Sequence, residues 1–145
     1  MKYLQLMILF STICFAIACS TSKLTADNPL FKSEWVLSEL NGNPVQQSGT
    51  DKDAHLIFTL SDMIVTGSGG CNRLTGTFNA KGKAFSFNPL ATTRMMCPDN
   101  QIETAFFAAL EKVNKYDLVN NTLELKQGDA VLAKLIPRYT AQGIK

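Results

Sequence analysis

Histidine is almost missing from this chain: one residue among 145, with four cysteines, two of them inside the first twenty positions. His55 has no second histidine to form a His-x-x-x-His zinc helix, and Cys71 and Cys97 lie too far apart for a Cys-x-x-Cys site. Cys71, Cys97, His55 and one carboxylate would satisfy a zinc count, but no ligand spacing supports it. A cysteine nucleophile needs a base, and His55 falls on an expected strand with no matching acid motif around it. Basic runs are missing too. The formal net charge of +2 is dispersed, which points away from nucleic acid or an anionic surface as partner. No internal repeat of fixed period and no low-complexity tract is present.

What is present begins with the leader. Lys2 precedes an apolar run from Leu4 to Ala18, broken by Gln5, Ser11 and Thr12, that ends in Ala16-Ile17-Ala18-Cys19. This is a charged n-region, an h-region and a small-residue cleavage site, and the run falls short of the roughly 20 apolar residues of a spanning helix. The residues before Cys19 resemble the lipobox of bacterial lipoproteins, which implies Cys19 as the lipidated mature N-terminus. Ser20 and Thr21 after it resemble lipoproteins sorted to the outer membrane. Ordinary secretion with Cys19 as an unpaired thiol, and retention at the inner membrane, are the alternatives. The chain thus divides into a signal peptide over 1–18, a flexible polar tether over 19–32, one domain over 33–138 and a tail over 139–145.

Within the domain, Glu34 to Leu40 reads as a strand, with Trp35 and Leu37 on one face and Val36 on the other, followed by an Asn41-Gly42 turn. His55 to Leu60 and Met63 to Ser68 form a hairpin, Leu56, Phe58 and Leu60 facing inward. Leu74 to Asn79 and Ala84 to Asn88 form another. Pro98-Asp99-Asn100 starts the one helix, which carries Ile102, Phe106, Ala109, Leu110 and Val113 on its core side and Glu103 and Glu111 opposite. Phe106 reads as core and Phe107 as rim. Three strands close the chain over 116–119, 122–126 and 131–136, with turns at Asn120-Asn121 and Gly128-Asp129. The expectation is a small α+β domain: a curved antiparallel β-sheet or partly open β-barrel covered by one amphipathic helix.

Two segments stand out, Gly67-Ser68-Gly69-Gly70-Cys71-Asn72-Arg73 and Thr92-Thr93-Arg94-Met95-Met96-Cys97-Pro98. No lysine follows the glycines as in a phosphate loop, and Ser68 lacks the flanking glycines of a nucleophile elbow, so the glycines read as backbone freedom at a bulge or corner. Outside the cytoplasm two thiols in one small domain are usually a disulfide, so Cys71 and Cys97 are expected to pair. Asn72 suits a positive-φ corner and hydrogen bonds to neighbouring backbone. Arg73 and Arg94 could share a surface that contacts an anion or a partner carboxylate, or instead pair with local acids or cap backbone carbonyls. Met95 and Met96 read as core packing, with an adaptable contact surface as the alternative.

The stretches at 69–78 and 89–97 and the Glu-x-x-Phe-x-x-Ala-Leu helix at 103–110 resemble the META domain family, the HslJ-type heat-inducible lipoproteins of bacteria. The resemblance implies a periplasm-facing domain, linked in some members to heat induction and novobiocin resistance, with no established enzymatic activity. It also implies a fold similar to the cracked barrels of secretion-pilot lipoproteins, which hold a lipid or peptide in a groove. The function expected is that of a non-catalytic, monomeric envelope lipoprotein without a cofactor. It would be anchored by lipid on Cys19 and bind another envelope protein or lipid. A carrier or pilot using a barrel groove is the alternative.

Overall fold

The computed structural model describes residues 24–138, so Cys19, the leader and the tail lie outside the described residues. The strands are β1 (Glu34–Leu40), β2 (Asn43–Pro44), β3 (His55–Thr59), β4 (Ile64–Ser68), β5 (Arg73–Lys81), β6 (Ala84–Phe87) and β7 (Ala91–Thr92). The helix α1 (Gln101–Leu110) precedes β8 (Lys115–Val119), β9 (Thr122–Gln127) and β10 (Ala130–Arg138). Turns fall where the sequence places residues tolerant of positive φ: Asn41 and Gly42, then Asn120 and Asn121.

The strands pair antiparallel in the order β10-β9-β8-β6-β5-β4-β3-β1-β2, and β1 also pairs with β10, so the sheet curls back on itself. The ring is uneven. Between β6 and β8 only Ala84 opposite Lys115 pairs in register, which leaves a thin seam. Backbone bonds from Phe85 N to the Asn114 carbonyl (3.1 Å) and from Tyr116 N to the Lys83 carbonyl (3.0 Å) supplement it. Asp117 adds charge: its carboxylate, at 2.6 Å from Lys83 Nζ and 2.9 Å from Lys126 Nζ, joins the β6 hairpin to β8 and β9. Hydrogen bonds from Lys83 and Lys126 outweigh burial and lower its pKa to about 2. The result is a mostly antiparallel curved sheet with one short helix, rather than an evenly closed barrel.

Period-two alternation drives the packing. In β3, Leu56 and Phe58 are buried while Ile57 and Thr59 face out, and β5 buries Leu74 and Phe78 in the same way. Phe58, Phe78 and Phe85 stack edge to face and face to face with centroids 5.3 to 5.9 Å apart, filling the interior beside Trp35, Leu123 and Leu135. In β1 the alternation fails, because Val36 is buried along with Trp35 and Leu37. Val36 lies between His55 of β3 and Ile136 of β10, so its outer side is covered by neighbours on both edges. Helix α1 contributes Phe106, Ala109 and Leu110 to the core, with Phe107 half-buried at the rim as expected.

Packing also begins ahead of position 33, so the last part of the expected tether belongs to the domain. Asn28 caps a single turn at Pro29–Phe31, its side chain accepting from Leu30 N at 3.0 Å. Leu30 is fully buried, and its carbonyl accepts a 3.0 Å hydrogen bond from Trp35 Nε1. Leu30→Ala should therefore destabilise the domain by about 2 to 5 kcal/mol, as removal of a packed core leucine does. Urea unfolding checks this, and a midpoint equal to that of the unaltered chain would show the turn to be peripheral.

Candidate functional site

The corner between β4 and β5 is where the two cysteine segments and the helix meet. Ser68 ends β4 and its hydroxyl donates to the Asn72 carbonyl (3.2 Å) while accepting from Gly70 N (3.0 Å). Gly69 N donates to the same Asn72 carbonyl at 2.9 Å, which closes the turn. Gly70 has φ +118°, a conformation that L side chains rarely adopt. Gly69 is required by proximity instead: a Cβ there would sit 2.5 Å from Glu103 Cγ and 2.8 Å from Phe107 Cζ. The helix presses directly on the corner.

That contact brings Glu103 into the middle of the site. Its side chain was expected on the solvent side of the helix, yet the residue is only 6% exposed. Oε2 accepts from Cys71 N (3.1 Å) and Asn72 N (2.5 Å), and Oε1 accepts from Asn72 Nδ2 (2.6 Å). A tight corner turns its N–H groups toward the helix, and a buried donor without an acceptor costs more than a typical hydrogen bond gains. Glu103 is the acceptor. Burial works to raise its pKa, but the bonds from the Asn72 side chain, Asn72 N and Cys71 N outweigh it and hold the carboxyl below its ordinary 4.5. Ile102 correspondingly turns outward and is 46% exposed, against expectation.

Asn72 carries the network onward. It does not take up positive φ, as the sequence suggested. It works through its side chain: Oδ1 accepts from Thr93 Oγ1 (2.9 Å) and Met95 N (2.7 Å), and Nδ2 also reaches the Met95 carbonyl (3.3 Å). Thr93 N in turn donates to the Arg73 carbonyl (3.0 Å), and Thr93 Oγ1 accepts from Arg73 N (3.1 Å). One buried asparagine thereby ties together the corner, the helix and the 93–95 segment.

Cys71 and Cys97 pair as a disulfide, as the compartment argument anticipates, with Cα atoms 6.4 Å apart and a sequence separation of 26. A closed loop of that length corresponds to about 3.5 kcal/mol in the chain-entropy account.

The two loops lie side by side, and both arginine side chains are exposed. Neither guanidinium makes an ion pair or hydrogen bond among the described residues, so the structure shows neither local acid partners nor capped backbone carbonyls for them. The expectation of core packing for the methionines is also overturned: Met95 is 57% exposed and Met96 fully so. Asn72 grips the Met95 backbone on both sides, which holds the segment against the rim of the corner rather than over the core. Lys52, His55, Ile57, Arg73, Met95 and Pro98 border an open depression of about 760 Å3 beside the disulfide.

His55 stands in more acidic company than the sequence suggested. Its Nδ1 is 2.8 Å from the Asp53 carbonyl and 3.6 Å from Glu34 Oε1, while Glu34 is itself held by Arg138. Asp53 accepts from Ser48 N, Ser48 Oγ and Gly49 N at 2.7 to 2.9 Å, and these bonds overcome burial to lower its pKa. Among the described residues no three of His, Cys, Asp and Glu gather as a metal-binding group.

Glu103 is the residue the sequence reading missed. It occupies the third position after the helix cap Asn100, where a glutamate commonly turns back toward free backbone N–H groups. That was a usable signal; here the N–H groups belong to a corner 31 residues away.

A family model described as META domain matches residues 28–137, and the chain belongs to the META domain family. A protein solved by NMR is 26% identical with a TM-score of 0.60, covering 79% of this chain and 96% of that one. A second NMR structure, from Burkholderia xenovorans, is 26% identical with a TM-score of 0.58, covering 83% and 97%. A DUF4847 family protein from Bacteroides vulgatus shares the fold at 18% identity and a TM-score of 0.55, over 77% of this chain and 96% of that chain. Nothing among curated proteins matches the chain.

Glu103→Gln tests the keystone. The amide would turn two hydrogens toward a corner made of donors, with an expected loss of about 1 to 3 kcal/mol at pH 7. Because the folded pKa lies below the ordinary value, the stabilisation by the ionised group is fully present above about pH 4.5 and is lost as pH falls through the folded pKa. The stability gap between the two chains should narrow below about pH 4.5 in urea titrations at stepped pH. A gap independent of pH would mean that Glu103 is not bound as a carboxylate.

Proposed function

We propose that this META-domain chain is a non-catalytic binding module of the bacterial envelope. In this reading it is monomeric, free of cofactors and held by lipid on Cys19 at the outer membrane, facing the periplasm. It supports tolerance of heat or novobiocin-type stress by binding another envelope component. The observation that carries the reading is the surface beside the Cys71–Cys97 disulfide. There Met95 and Met96 are exposed and the Arg73 and Arg94 guanidinium groups are unpaired among the described residues, on a backbone held by Asn72, Glu103 and the disulfide. Unpaired cations and apolar side chains on a fixed frame lose little freedom when a partner binds, which favours recognition. The carrier reading has less support, because Trp35, Phe58, Phe78 and Phe106 already occupy the interior where an acyl chain would lie.

Two experiments bear on this. Cys19→Ala should move the protein from the membrane pellet to the soluble periplasmic fraction; a variant that still pellets sinks the lipid anchor. A photo-crosslinking amino acid at position 96 should capture a discrete envelope component in intact cells. The same probe at Asp129, in the turn between β9 and β10 across the ring, should not. Equal capture, or none at either site, would remove this face as the binding surface.

A further inference from the structure

We infer that Met95 and Met96 form a reversible oxidation site, where peroxide converts two thioethers to sulfoxides and withdraws the apolar part of the binding face; that last consequence rests on the binding-module reading above. Methionine oxidation follows exposure of the sulfur. Met96 is fully exposed and Met95 is 57% exposed, and what fixes their segment is backbone. Asn72 Oδ1 accepts from Met95 N at 2.7 Å, and Asn72 Nδ2 donates to the Met95 carbonyl at 3.3 Å. The disulfide anchors Cys97, the residue after Met96. None of these bonds uses a thioether, so both side chains stand outside the frame that carries them.

The surroundings leave no softer target. Cys71 and Cys97 are already joined, so neither offers a thiolate to an oxidant. Met63, the other methionine among the described residues, lies in the turn between β3 and β4 and packs against the core. A sulfoxide there would press a polar oxygen into apolar packing, which costs stability, whereas at 95 and 96 the oxygen enters water. Oxidation of the exposed pair therefore changes the surface and leaves the fold.

The chemistry balances with peroxide as the only co-reactant. The sulfur lone pair attacks one oxygen of hydrogen peroxide, and the S–O bond forms as the O–O bond breaks. Sulfur gives up two electrons; the departing hydroxide takes the proton of the transferred oxygen and leaves as water. Two electrons and two protons from a dithiol, which becomes a disulfide, reverse the step and release water. A sulfoxide is polar where the thioether is apolar and adaptable, so a partner surface that packs on methionine meets an unmatched dipole and does not rebind.

The test is peptide mapping by mass spectrometry of the intact mature protein during exposure to dilute hydrogen peroxide. One added oxygen is expected at each of Met95 and Met96, about tenfold sooner than at Met63, with the urea midpoint unchanged while only the pair is modified. Methionine sulfoxide reductases supplied with a dithiol should remove both oxygens. A comparable rate at Met63, or a midpoint that falls as the pair oxidises, overturns the site. In intact cells, a photo-crosslinking amino acid at position 98 should capture a partner, and brief peroxide treatment should abolish the capture. The paired variant Met95→Leu, Met96→Leu should keep it under the same treatment. Capture that survives peroxide in the unaltered chain, or is lost equally in the leucine variant, overturns the effect on binding. If position 98 captures nothing before treatment, the binding-module reading falls and takes that effect with it, while selective oxidation in the map establishes the site alone.

Discussion

Glu103 accepts three hydrogen bonds from the Cys71–Asn72 corner and gives none, and most of what distinguishes this domain from a plain curved sheet follows from that arrangement. The corner's N–H groups must point somewhere, and a sharp turn with glycines on its inner side directs them at the helix. With the carboxylate in place, Asn72 is free to use its amide oxygen outward, and the 93–95 segment is fixed in turn. The disulfide then closes the same loop covalently. Order runs from a buried charge to an exposed surface in three short steps.

The sequence revealed the strands and the helix through alternation and turn chemistry, since those depend on neighbours in the chain. Leu56 and Phe58 alternate with Ile57 and Thr59, and Asn120-Asn121 marks a turn without any tertiary information. It failed where a residue's environment is set from far away. Glu103 and Ile102 exchange their expected sides because a corner 31 residues distant needs an acceptor, and no helical period carries that. Met95 and Met96 resemble core residues because methionine usually packs, but Asn72, holding the Met95 backbone, keeps the segment at the rim. The alternation places Val36 on the face opposite Trp35 and Leu37, and a single strand does not show that this face will be flanked on both edges.

The seam between β6 and β8 lies on a different part of the ring from the cysteine corner, and the two are built differently. The seam depends on one paired register position and an exposed-to-buried charge cluster around Asp117. The corner depends on a buried polar network and a covalent bond. The face proposed for binding thus sits on the covalently braced of the two, as preorganised recognition requires.

Asn72 and Glu103 have one consequence beyond stability. Each helps to satisfy the other: an apolar residue at 103 strands the Cys71 and Asn72 N–H groups, and one at 72 leaves Glu103 Oε1 without its donor. Two sites 31 residues apart in this chain are therefore coupled, so that the cost of a substitution at one depends on the residue at the other.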